Sequence, residues 1–115
     1  MSATADKRRY QRIGEIGCLA CRRYGYFGVL GQVHHLNMGQ HAGQKRLGND
    51  HTIGLCAYHH QGYLGGQKQE WWESKVGPSL ALRPLKFREI FGSDIDLLAE
   101  QNRLIDQLEK QVVGA

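Results

Sequence analysis

LCAYHHQG, residues 55 to 62, decides how the chain is read. Cys56 and His59 stand three positions apart, and a second histidine, His60, follows directly. The same spacing occurs earlier, in Cys18-x-x-Cys21 of GCLACRRYG, residues 17 to 25. Side chains at i and i+3 across one tight turn can reach a single ion. Two such pairs supply three thiolates and one imidazole, the closed, four-coordinate donor set of a structural zinc site. Cys18, Cys21, Cys56 and His59 are therefore the expected zinc ligands. The competing reading is a redox-active Cys-x-x-Cys, which gives Cys56 and His59 no role at this spacing.

Composition explains why a staple is wanted. The chain has 115 residues, only 41% hydrophobic, with 15 glycines. A domain this size buries roughly two-thirds of its unfolded surface, and glycine raises the entropy lost on folding. A bound metal holding two halves of a thin domain together supplies folding energy directly. An odd count of three cysteines does not suit a disulfide framework. It fits reduced thiols and a cytoplasmic setting, as does the lack of a signal-like segment or membrane-length apolar run.

Outward from the two knuckles, the pattern predicts an α+β domain. Residues 5 to 16, ADKRRYQRIGEI, read as a short basic helix or arm, separable from a domain over 17 to 115. FGVLGQVHHL, residues 27 to 36, is rich in β-formers and reads as a strand. NMGQHAGQKRLGND, residues 37 to 50, reads as a loop. HTIGL, residues 51 to 55, is a second strand, and a helix opens after the turn at Cys56. QKQEWWESK and PLKFREIF read as further helices, with Pro84 in a first turn and Gly92 as a stop. Ser93 and Asp96 form a Ser-x-x-Asp start signal for the last helix. Leu97, Leu98, Leu104, Ile105, Leu108 and Val112 make its apolar stripe. Packing on the core is the preferred use of that stripe, and a partner-binding face is the alternative.

The formal charge of +4 and a pI of about 9.1 suit a polyanionic partner, nucleic acid first. The candidates for phosphate contact are Lys7, Arg8, Arg9, Arg12, Arg22, Arg23, Lys45 and Arg46. Such contacts position a nucleic acid without reading its sequence. Surface solvation is the plainer reading for any single one.

The zinc pairs use one histidine and leave His34, His35, His41, His51 and His60. Adjacent strand residues face opposite ways, so His34 and His35 are expected to do different jobs. A hairpin followed by a helix can bring His34 or His35, His51 and His60 together. His41 reads as an exposed loop residue.

The order CxxC, VHHL, LCxxHH resembles the HNH, or ββα-metal, nuclease family. Together with TIGLCAYHHQG and the tail FREIFGSDIDLLAEQNRL, it is similar to the phage recombination-enhancement (Ref) nucleases, which depend on RecA. The likeness spans roughly residues 17 to 105. It implies a small ββα-metal core, stapled by zinc and extended by C-terminal helices. It implies a metal-dependent DNA endonuclease acting with a RecA-type recombinase filament or the displacement loop it builds, in the host cytoplasm.

By that resemblance His35 is the general base, and His34 and His60 are ligands of a catalytic metal. The chemistry suits the residue types, since histidine titrates near neutral pH and can take a proton from water. A divalent ion stabilises charge on the phosphate and the leaving oxygen. Imidazole ligands favour Zn²⁺, Ni²⁺ or Mn²⁺, whereas Mg²⁺ prefers oxygen. The family pattern carries Asn where this chain has His51, so His51 or the nearby Asn49 takes the middle role. The alternative function is a non-catalytic zinc module for nucleic acid or protein, which has no use for His35.

Overall fold

The computed structural model describes residues 3–36 and 50–113. The chain opens with α1 (Ala3–Ile16) and α2 (Leu19–Arg22), then enters β1 (Gln32–His35). It resumes with β2 (Thr52–Leu55) and α3 (Ala57–Gln61), followed by α4 (Gln69–Val76), α5 (Pro84–Phe91) and α6 (Asp94–Val113). The class is α+β, as expected. The loop expected over 37 to 50, with His41, Lys45, Arg46 and Asn49, lies outside the described residues apart from Asp50. No helix among the described residues is long and apolar enough to cross a membrane.

The two strands pair antiparallel, with Gln32 opposite Leu55, Val33 opposite Gly54, His34 opposite Ile53 and His35 opposite Thr52. The first strand is shorter than the stretch 27 to 36 predicted for it. A strand extends only as far as its partner, and β2 stops where Cys56 must turn into the metal knuckle. Cys56 is extended and starts α3, which Gly62 ends in the left-handed region at φ 77°. The helix expected to open after Cys56 is therefore short, because a residue in that conformation breaks the helical ladder.

The N-terminal segment is a helix that packs on the rest of the domain. Ile13 is fully buried and Ile16 nearly so. Arg9 donates to the Thr52 hydroxyl at 2.8 Å, to the Thr52 carbonyl at 2.6 Å and to Asn102 at 2.9 Å. Arg8 and Arg12 pair with Glu109 on α6 at 2.8 and 3.3 Å. Gly14 lies inside this helix with open space where a Cβ would project, so no close contact requires glycine there. Gly54 has the opposite reason for being glycine. A Cβ there would sit 2.8 Å from Ile13 Cγ2 and 3.1 Å from the Gly17 carbonyl. The missing side chain lets β2 approach α1.

Further along, the start signals act as read. Pro84 occupies the first turn of α5, and Gly92 follows its end. Ser93 Oγ accepts from the Asp96 amide and Asp96 Oδ2 from the Ser93 amide, each at 3.2 Å, a reciprocal capping box. Leu97 is buried in the core, and Leu98, Leu104, Ile105 and Leu108 pack against it. The stripe therefore faces the domain; the Val112 side chain lies outside the described residues. From the same helix, buried Gln101 accepts the Gly54 amide at 2.8 Å. That bond satisfies an amide of β2.

Candidate metal centre and histidine cleft

The two knuckles meet. Cys18 is the N-cap of α2, and its sulfur accepts the Cys21 amide at 3.4 Å. Cys56 caps α3, which carries His59 one turn later. The ligand atoms of Cys18, Cys21, Cys56 and His59 lie within 4.8 Å of one another, and all four residues are buried. Cys21 and Cys56 sulfurs are 3.8 Å apart, and His59 Nδ1 lies 3.4, 3.6 and 3.3 Å from the sulfurs of Cys18, Cys21 and Cys56. Tetrahedral zinc bonds of about 2.3 Å to sulfur and about 2.05 Å to nitrogen imply edges of about 3.8 and 3.6 Å. The group could hold a metal ion such as zinc.

The tautomer of His59 agrees with this. Its Nε2 lies 2.9 Å from the Val76 carbonyl oxygen. A carbonyl only accepts, so Nε2 carries the proton and Nδ1 offers its lone pair to the three sulfurs. This is the arrangement by which an outer partner orients a ligating imidazole. The four groups are also electrostatically crowded. Hydrogen bonding with Cys18 and then Cys21 drives the Cys56 thiol far below its ordinary value, against burial. Hydrogen bonding with Cys18 and Cys56, together with burial, drives Cys21 far above it. Burial disfavours a charge on His59, but hydrogen bonds with Cys18 and Cys56 outweigh it and raise its pKa to about 9. Sulfurs this close compete for protons, and a cation bound among them removes the competition.

On the neighbouring part of α3, His60 meets β1. The His34 and His60 rings touch edge to face, with centroids 4.9 Å apart and planes at 76°. His60 Nδ1 lies 2.8 Å from Gln32 Oε1 and donates to it, which leaves Nε2 as the lone-pair nitrogen of the neutral ring. Burial, and then the field of His60, lowers the His34 pKa to about 4, with Asp94 opposing. Burial and then His35 lower that of His60. Both rings are thus neutral near pH 7, the state a metal ligand requires.

His34 and His35 face opposite sides of the ribbon by register, yet both line one cleft of about 250 Å³ with Leu80, Pro84, Arg88 and Asp94. Arg88 and Asp94 pair across its rim at 3.6 Å. His51 is placed elsewhere. Its backbone carbonyl accepts the Leu36 amide at 2.9 Å, and its Nδ1 pairs with Asp50 at 3.1 Å. It is not among the residues lining the cleft.

The basic candidates also find places. Arg8, Arg9 and Arg12 are held by α6 and β2 as described above. Arg23 reaches Glu100 at 2.6 Å and the Phe91 carbonyl at 3.1 Å. Arg22 lies over the exposed Phe27 ring, 4.9 Å from its centroid. Sequence reading missed Gln32, Arg88 and Asp94. Gln32 was accessible in principle, since i and i+2 share a strand face with His34. Arg88 and Asp94 were read only as helix residues, and only tertiary packing of α5 and α6 brings them to β1.

A family model described as recombination enhancement, RecA-dependent nuclease, matches residues 3–106. No curated protein and no solved structure matches the chain.

Proposed function

Because the chain belongs to the family of recombination-enhancement, RecA-dependent nucleases, we propose that it is a metal-dependent DNA endonuclease of the HNH type, directed to its target by a recombinase filament. The observation that carries this reading is the edge-to-face meeting of His34 and His60 beside a cleft that also holds His35. The succession β1, β2, α3 supplies the ββα frame that such a site uses. Cys18, Cys21, Cys56 and His59 would hold a structural zinc behind it.

Each residue has a distinct task in this reading. His34 and His60 offer neutral imidazoles to a divalent ion, and Gln32 fixes the ring of His60 for that purpose. A divalent ion there would stabilise charge on the scissile phosphate and the departing 3′ oxygen. His35 takes a proton from water. The resulting hydroxide attacks phosphorus, the bond from phosphorus to the 3′ oxygen breaks, the 3′ oxygen takes a proton from solvent, and His35 returns its proton to solvent. Arg88, on the rim, pairs with a phosphate oxygen and holds the backbone in place. His51, which directly precedes Thr52, the strand partner of His35, orients neighbouring groups through its pair with Asp50. Imidazole ligation favours Mn²⁺, Ni²⁺ or Zn²⁺ over Mg²⁺. Arg22, Lys45 and Arg46 supply further phosphate contacts in this proposal, whereas Arg8 and Arg9, also expected from sequence to do so, are engaged with Glu109, Thr52 and Asn102.

The test is a nicking assay on DNA carrying a recombinase filament, with and without divalent metal. Wild-type protein should cut only with metal. His35→Ala should stop cutting while zinc content and thermal unfolding stay unchanged. Cutting by His35→Ala at the wild-type rate removes His35 from the mechanism. No cutting by wild type under any of these conditions leaves the non-catalytic zinc module as the better description.

A further inference from the structure

A second cleft, of about 480 Å³, lies beside the zinc centre between α3, α4 and the segment that precedes β1. Its rear wall is rigid. Tyr58 stacks on Trp72, with centroids 4.7 Å apart and planes at 14°. The Tyr58 hydroxyl donates to the Gly77 carbonyl at 2.8 Å, and Trp72 Nε1 donates to the Leu64 carbonyl at 2.7 Å. Its front is open. Tyr26, Tyr63 and Trp71 are 47%, 65% and 42% exposed. Trp71 stands perpendicular to Trp72, at 90° and 5.1 Å. Among the described residues, Lys75 is the one cationic side chain in the lining, no carboxylate lines it, and Cys21 and Cys56 of the Cys–His group form its floor.

We infer that this cleft binds the unpaired bases of single-stranded DNA by stacking on Tyr26, Tyr63 and Trp71, with Lys75 on the phosphate chain. Exposed aromatic faces with a cation at their edge suit a ligand made of flat rings on an anionic backbone. Lys75 supplies the positive charge that a phosphate chain would meet at the edge of the rings. Position supports the same ligand. Ala57 lines the cleft, and His60 lies three residues further along α3, so their Cβ atoms are about 5–6 Å apart. The two sites are thus linked through one turn of α3, which carries Ala57 on the wall of the stacking cleft and His60 against the His34 ring. The inference rests on the nuclease reading and deepens it: the strand engaged is one whose bases are unpaired.

The chain's two tryptophans, Trp71 and Trp72, both line this cleft, so selectively excited tryptophan fluorescence reports on it. The experiment titrates the full-length, zinc-loaded His35→Ala protein with oligothymidylate and with a duplex of equal length. Affinity is read in parallel by anisotropy of the labelled strands. The single strand should quench the tryptophans and bind more tightly than the duplex. Trp71→Ala in the same background should weaken single-strand binding about tenfold, with unchanged zinc content. Trp71→Phe should restore most of the affinity, since a phenyl ring still stacks. Equal affinity for single strand and duplex, or an unmoved affinity in Trp71→Ala, overturns the inference. So does loss of filament association in Trp71→Ala with oligonucleotide affinity intact, which makes the cleft a protein-docking surface. Binding is measured without turnover, so it fails independently of the nuclease reading. Cutting by wild type without ring-dependent binding sinks only the cleft. Ring-dependent binding without cutting sinks only the nuclease.

Discussion

His59 Nε2 lies 2.9 Å from the carbonyl oxygen of Val76, at the last position of α4. One imidazole thus faces the three sulfurs with one nitrogen and closes a helix carbonyl with the other. The metal centre and the packing of α4 are a single construction. Its ring also packs edge-on against Phe91 of α5, with centroids 5.7 Å apart.

Replacing this ring should therefore do more than remove a ligand. His59→Ala leaves a cavity, an unpaired carbonyl and three thiols without their fourth partner. Metal binding of this type is folding energy, and a native domain has only about 5–15 kcal/mol in total. The variant should lose the metal and most of its cooperative thermal transition. A chelator strong enough to strip zinc from the wild type should give the same melting curve. Zinc content by atomic absorption, paired with circular dichroism against temperature, checks both. A His59→Ala protein that melts as wild type does would remove the metal from the account of stability.

The capping box at α6 gives a smaller and more local effect. Ser93→Ala removes the acceptor of the Asp96 amide, now 3.2 Å from Ser93 Oγ. Loss of such a cap costs about 1 kcal/mol. Chemical denaturation should show a lower midpoint with an unchanged slope, and zinc content should not move.

Those two examples mark what the sequence carries. Knuckle spacing, Pro84, Gly92 and the Ser93–Asp96 pair are local signals, and each acts within a turn of itself. Cys18 and Cys56 are far apart in sequence, but matching i, i+3 spacing and ligand chemistry were enough to join them. The length of β1 was not legible, because it depends on where β2 must stop for Cys56. Nor was the docking of α1, since Arg9 reaches Thr52 and Asn102 only after three separate elements have packed. Arg88 and Asp94 are hidden for the same reason. Nothing in PLKFREIF or GSDIDLL states which strand those helices will lie against.

Gly54 offers a test of that docking. A Cβ at this position meets Ile13 Cγ2 at 2.8 Å and the Gly17 carbonyl at 3.1 Å. Gly54→Ala should push α1 from β2 and cost about 1–3 kcal/mol, the usual range for overpacking. Pairing it with Ile13→Ala should recover part of the loss, because one of the two obstructing atoms is gone. A double-mutant cycle in urea reads the coupling. Strict additivity would show that α1 is not held as close to β2 as described.

The buried ring of His34 sets a pH dependence whose sign can be worked out. Burial and the field of His60 lower its pKa to about 4, whereas an unfolded histidine titrates near about 6.5. Between those values the unfolded chain binds more protons than the folded one. Stability that is fully present above about pH 6.5 is therefore lost as the pH falls toward 4. The contribution is on the order of 2–3 kcal/mol for a shift of this size. Comparing wild type with His34→Gln across that window, without added divalent ion, isolates it: the difference should shrink at low pH. A ring proton that titrates near 6.5 in the folded protein by NMR would contradict the packing of His34 against His60.

His60→Ala should separate the two sites. His60 is half-buried, shares a hydrogen bond of 2.8 Å with Gln32 and touches the ring of His34. It is not one of the four residues of the Cys–His centre, and the neighbouring His59 is fully buried on the other side of the helix turn. Truncation at 60 removes a partly solvated ring and one hydrogen bond, worth about 1–2 kcal/mol. The domain should stay folded, keep its zinc and still melt cooperatively. Cutting should fall by at least about tenfold to a hundredfold, the loss typical when even an outer partner of a metal ligand is removed. The loss should be partly recovered at high divalent metal if the residual ligands still bind. Exogenous imidazole, small enough to enter the space left by the ring, should also restore part of it. Full activity in His60→Ala at limiting metal would exclude this ring from the reaction. An unfolded His60→Ala protein would place it with His59 in the structural centre.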